Sequence, residues 1–71
     1  MKFHYYQDTD SLYIELSPKA SVDSNEVSPG VVIDLDAEGR LVGIDVEHAS
    51  KNVDLTRLEA ESVPFASVSV A

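Results

Sequence analysis

The stretch from Gly30 to Ser50, GVVIDLDAEGRLVGIDVEHAS, decides the fold of this chain. On Val31 to Asp36 the odd positions Val31, Ile33 and Leu35 are apolar, whereas Asp34 and Asp36 share the opposite face with Val32. On Arg40 to Glu47 the even positions Val42, Ile44 and Val46 are the apolar set, opposite Leu41, Gly43, Asp45 and Glu47. A period of two on both sides of an acidic, glycine-containing turn describes an antiparallel hairpin with one buried face. Two registers fit it. A three-residue loop with Gly39 as a bulge residue pairs Asp36 with Arg40 but sets Asp34 opposite Val42. A four-residue loop, Asp36 to Gly39, pairs Ile33 with Val42 and Val31 with Ile44, and keeps both apolar sets on one side. Burial outweighs one exposed ion pair worth about 0.5 kcal/mol, so the four-residue loop is expected.

Working outward, Lys2 to Tyr6 is aromatic and favours a strand, and Gln7 to Ser11 breaks the pattern with turn-forming side chains. Leu12, Ile14 and Leu16 alternate with Tyr13, Glu15 and Ser17, giving a half-buried second strand hairpin-paired to the first. Pro18 ends it, since proline cannot donate to a ladder. Ser21 to Val27 reads as a short irregular or bulged edge strand, and Pro29-Gly30 as the next reversal. Beyond Val46 the period changes, and Glu47 to Asn52 could make one helical turn. Asp54 is a suitable N-cap for a helix over Leu55 to Glu61, with Leu55 and Leu58 as its buried stripe. Phe65 to Val70 alternates again. The expected architecture is α+β: a small antiparallel β-meander of about five strands, one short helix packed on one face, and a C-terminal strand within 63–71 that pairs either in the chain or with another subunit. Residues 1–71 form one compact domain.

At 71 residues the chain has little core to spare for a deep pocket, and without cysteine it has neither disulfides nor thiolate chemistry. Oligomerisation is then the natural source of extra stability. Thirteen acidic residues against five basic ones give a formal charge of −8, which disfavours direct binding to nucleic acid and suits solubility, a basic protein partner or cations. MKFHYYQDTD has no apolar core of an export signal and no run is long enough to span a membrane, so cytoplasm is the expected compartment.

Asp34 to Asp45 matches the spacing of an EF-hand loop, with acids at positions one, three, five and twelve and glycine at six. Its flanks, however, are β-patterned, position twelve is Asp and position nine is Val42, so solvated turn acids are the simpler reading. Cation binding at Asp34, Asp36 and Glu38 stands as the alternative. His4 and His48 lie in no ligand or catalytic motif, and nothing like G-x-S-x-G specifies a nucleophile, so no enzyme and no cofactor is expected. Tyr13, Val32 and Leu41 fall opposite the main apolar set and are the expected partner interface, rimmed by Glu15 and Asp45. Scattered exposed apolar residues are the bland alternative.

The sequence from Tyr6 to Leu16, with D-x-D-x-L-Y-I-x-L, and from Gly30 to Val46, with G-R-x-V-G-I, followed by Ala49-Ser50-Lys51, resembles the prokaryotic family catalogued as domain of unknown function 2283. The similarity covers roughly Tyr5 to Lys51. It implies a compact meander with a short helix and no known activity, cofactor or catalytic residue. Some similar proteins look like the antitoxin-like member of two-gene pairs beside a small basic nuclease-like protein. The combined expectation is a small acidic protein-association module that binds itself as a dimer or binds a small basic protein.

Overall fold

The computed structural model describes residues 1–67. Five strands form one antiparallel sheet: β1 (Lys2–Tyr6), β2 (Ser11–Glu15), β3 (Asp23–Ser28), β4 (Val31–Leu35) and β5 (Leu41–Val46), followed by one helical turn, α1 (Ala49–Asn52). The spatial order is β1-β2-β5-β4-β3. Two runs of neighbours, β1-β2 and β3-β4-β5, are therefore each a meander. They join where β5, the last strand in sequence, settles between β4 and β2.

Register explains which side chains share a face. Phe3, Ile14, Ile44, Ile33 and Asn25 lie opposite one another across all five strands, and Tyr5, Leu12, Val46, Val31 and Ser28 form a parallel row. Directly opposed residues stand on the same side of a sheet, so these rows make one apolar face that turns polar only at β3. The other face carries Lys2, His4, Tyr13, Glu15, Gly43, Asp45, Val32, Asp34, Ser24 and Glu26.

The central hairpin departs from the expected register. Ile33 pairs with Ile44 rather than Val42, and Val31 with Val46 rather than Ile44. The loop is the three-residue one: the Asp36 amide donates to the Arg40 carbonyl at 2.9 Å, the Gly39 amide donates to the Asp36 carbonyl at 3.0 Å, and Gly39 takes φ 78°. That register looked unfavourable because it opposed Asp34 to Val42. A bulge removes the conflict. Pairing slips between Leu35↔Leu41 and Asp34↔Gly43, so Val42 is the extra residue and every apolar side chain below it returns to the apolar face. The bulged Val42 is only 4% exposed, and its carbonyl accepts the amides of Leu16 (2.7 Å) and Ser17 (3.1 Å) beyond the end of β2.

β3 is the irregular edge strand expected from Asp23-Ser24-Asn25, with its pairing interrupted between Glu26 and Ser28. The single turn at α1 also follows expectation. The helix over Leu55 to Glu61 does not form. Asp54 instead closes a local turn, accepting the amide (2.9 Å) and hydroxyl of Thr56, and the chain then runs on without helix. Seven residues carrying only Leu55 and Leu58 as a stripe are too few to offset helix nucleation without a surface that encloses both; Leu58 stays 73% exposed. Of the expected C-terminal strand, 63–67 form no strand, and 68–71 lie outside the described residues. The segment from Val53 crosses the β1 end of the apolar face, where Phe3, Tyr5 and Leu12 meet residues 53–58 along an open groove of about 600 Å³.

Asp36 holds the hairpin loop. It is 7% exposed, and its Oδ1 accepts the amides of Glu38 (2.9 Å) and Arg40 (3.0 Å). The Arg40 amide, and after it the Glu38 amide, hold the carboxyl below the usual carboxylate range. A lowered folded-state pKa contributes stability above the unfolded value, which is lost as pH falls through the folded one. Asp36→Ala should therefore lower Tm at pH 6, and the gap to wild type should narrow by pH 3; thermal melts at the two pH values measure it, and a gap that widens in acid would contradict the assignment.

Candidate functional site

Two clusters of side chains stand out from the sheet; both draw on the D-x-D-x-L-Y-I segment, and the second also on Gly43 of G-R-x-V-G-I. The first is at the β1-β2 turn. Asp10 adopts φ 52°, a left-handed conformation that Asp tolerates better than most residues. From there its carboxylate accepts the Tyr5 hydroxyl (2.7 Å), the Ser50 hydroxyl (2.7 Å) and the Ser50 amide (3.1 Å), and its carbonyl accepts the Ala49 amide (2.8 Å). Asp10 thus supplies across space the cap that α1 lacks locally, since His48 precedes the helix in a left-handed conformation with no side-chain cap. Ala49 is fully enclosed at this junction. The Ser50 hydroxyl, then the Tyr5 hydroxyl, lower the Asp10 carboxyl from its ordinary value, while the bond to Asp10 raises the Tyr5 phenol.

The second cluster spans the acidic face. Tyr13 on β2 lies across β5 directly over Gly43 and donates its hydroxyl to Asp34 on β4 at 2.9 Å. Asp34 also accepts the Ser24 hydroxyl from β3 at 2.7 Å, so one carboxylate on β4 joins the neighbouring β3 to β2, which lies on the far side of β5. The crossing needs glycine: a Cβ at residue 43 would stand 2.0 Å from the Tyr13 hydroxyl oxygen and 2.4 Å from its ring carbon. Partial burial, followed by the bond to Asp34, raises the Tyr13 phenol, which stays a neutral donor at physiological pH.

These clusters redistribute the residues singled out from sequence. Tyr13, Val32, Glu15 and Asp45 share the acidic face, but Leu41 does not. The Val42 bulge turns Leu41 toward Leu35, on the apolar side. Asp34, Asp36 and Glu38 do not converge: Asp34 is bonded to Tyr13 and Ser24, Asp36 to loop amides, and Glu38 sits outside, 3.7 Å from Arg40. Among the described residues no group of three His, Cys, Asp or Glu side chains is placed to hold a metal ion. His4 stands opposite Tyr13, and His48 borders a shallow groove with Pro29, Gly30 and Lys51. No helix among the described residues is long and apolar enough to cross a membrane. The Tyr13–Gly43 crossing was not anticipated, although a glycine inside an alternating strand is the signal for a close approach.

A five-stranded antiparallel sheet closed by a single helical turn is the class of fold these residues define. Residues 2–50 match the model of the family described as "Protein of unknown function (DUF2283)", and the chain belongs to that family. No curated protein matches the chain, and no solved structure does. The match ends within α1, and the segment from Lys51 onward lies beyond it.

The packing of Tyr13 on Gly43 makes a non-additive pair. Tyr13→Phe, which removes one hydrogen bond, should cost about 1 kcal/mol in urea denaturation. Gly43→Ala should cost more, because the ring must leave its place. In a Tyr13→Ala background the same Gly43→Ala change should become nearly neutral; equal costs in both backgrounds would show that Tyr13 does not occupy the space over residue 43.

Proposed function

We propose that the protein is an association module that works through the apolar face of its sheet. The observation that carries this reading is the state of the central row. Ile14, Ile44 and Ile33 sit at the middle of a five-stranded sheet, where a domain with a second layer would enclose them, yet all three remain partly open to solvent. Among the described residues the only buried hydrophobic side chains are Val42, Val46 and Ala49. Covered apolar area is what stabilises a chain of this size, so a partner completes the core. This reading moves the interface from the expected Tyr13 face, whose central polar groups already bond one another, to the opposite side.

The test is a tagged full-length chain isolated from native extract. Wild type should run in a complex well above its own 7.7 kDa mass. Ile33→Lys, at a half-buried position of the apolar face, should keep its β circular dichroism but run as a monomer, whereas Glu26→Lys on the acidic face should leave the complex intact. A wild-type monomer, or a complex indifferent to Ile33→Lys and lost with Glu26→Lys, would overturn the reading.

A further inference from the structure

Resting on that reading, we infer that the occupant of the apolar face is a second copy of this chain, packed sheet on sheet with residues 59–67 of each arm reaching across its partner. Charge selects the occupant. Within the five strands Lys2, Glu15, Glu26, Asp34 and Asp45 all stand on one face, and only Asp23, at the β3 edge, stands on the other. Among the strand residues a basic partner finds only Asp23, at the edge, as a counter-charge on the apolar side. Two copies at −8 each repel through their acidic faces, and the charge-poor apolar face is where they can meet with least repulsion.

Area then brings in the arm. The central part of the face, five residues on each of β2, β5 and β4, measures about 14 Å by 17 Å, or roughly 250 Å² in projection, and Val42 and Val46 within it are already buried. A stable dimer hides about 800 Å² on each partner. The arm supplies apolar surface of its own: Leu55, Leu58, Val63 and Phe65 are all exposed large side chains. Its first part, residues 53–58, lines a groove with Phe3, Tyr5 and Leu12 of its own sheet. The nine residues 59–67 extend up to about 30 Å, more than the width of the sheet. In a two-fold dimer each face and each arm is used once by either copy, so the contact closes on itself and makes no filament. Sheets stacked in this way keep their strands within about 30° of alignment.

The chain's three isoleucines are Ile14, Ile33 and Ile44, all in the central row of the apolar face, so isoleucine methyl labelling reports on this surface alone. Purified full-length protein at micromolar concentration should sediment at twice 7.7 kDa. The dimer should tighten as salt rises, because screening removes repulsion between like-charged copies, the opposite of the response for a basic partner. In a mixture of isoleucine-labelled and unlabelled chains, isotope-filtered spectra should show intermolecular Overhauser contacts to the three methyls. Ile14→Lys should yield a folded monomer, and if it unfolds, the filtered spectra of the wild type decide alone. A purified monomer overturns the second copy as occupant. If the native-extract complex still depends on Ile33, association through this face survives with a different partner; if that complex is absent too, both readings fall. A dimer whose isoleucine methyls show no intermolecular contact uses another surface and also overturns the inference.

Discussion

The structure depends on β5 being held between β2 and β4 with its apolar side chains in line with theirs. Each strand of that trio contributes one isoleucine to a single row, and the rows on either side are Leu12-Val46-Val31 and, at the hairpin end, Val42 with Leu41 and Leu35. Cross-strand apolar pairs of this kind are the unit from which a sheet gains stability. The Val42 bulge lets them align while the loop keeps its three-residue geometry, and the bulged carbonyl anchors the chain leaving β2. On the opposite face Tyr13, Gly43, Asp34 and Ser24 tie the same strands together with hydrogen bonds. One face is thus internally satisfied by polar contacts, and the other offers apolar surface that the described chain does not fully cover.

Strands β2, β4 and β5 were legible from alternation, β1 from its aromatic residues, and the turn at Pro29-Gly30 and the irregular edge strand from their turn-forming residues. The hairpin register was not. Choosing between a three- and a four-residue loop by apolar matching assumed uninterrupted pairing, and a bulge satisfied turn chemistry and burial together. The shorter loop and the bulged Val42 therefore each moved the expected partners by one position, two in all, and the bulge left Leu41 on the other face. Adjacency of β5 to β2 was likewise hidden, because it joins residues about thirty apart in sequence and nothing in either strand's own pattern names the other. Leu55 to Glu61 has helix-compatible residues and a good cap, and still did not become a helix. Local propensity is a weak prior when no surface encloses the stripe.

The acids of the Asp34 to Asp45 segment show why spacing is insufficient evidence of a site. Their sequence intervals suit a calcium loop, yet the β backbone sends Asp34 to a tyrosine across the sheet and folds Asp36 onto its own loop amides. The same residues gain clear structural work once the sheet is known. Asp10 behaves similarly: a turn residue in the sequence, it caps a helix some forty residues later. The segments that mark the family therefore build the fold.

The most direct measurement of whether this face is covered is relaxation of the isoleucine methyl signals of the intact protein by a soluble paramagnetic agent. The account predicts that the methyls of Ile14, Ile33 and Ile44 are shielded at the concentration where the complex forms and become accessible on dilution. Methyls that relax freely at every concentration would mean that the face stands open to water, and would contradict it.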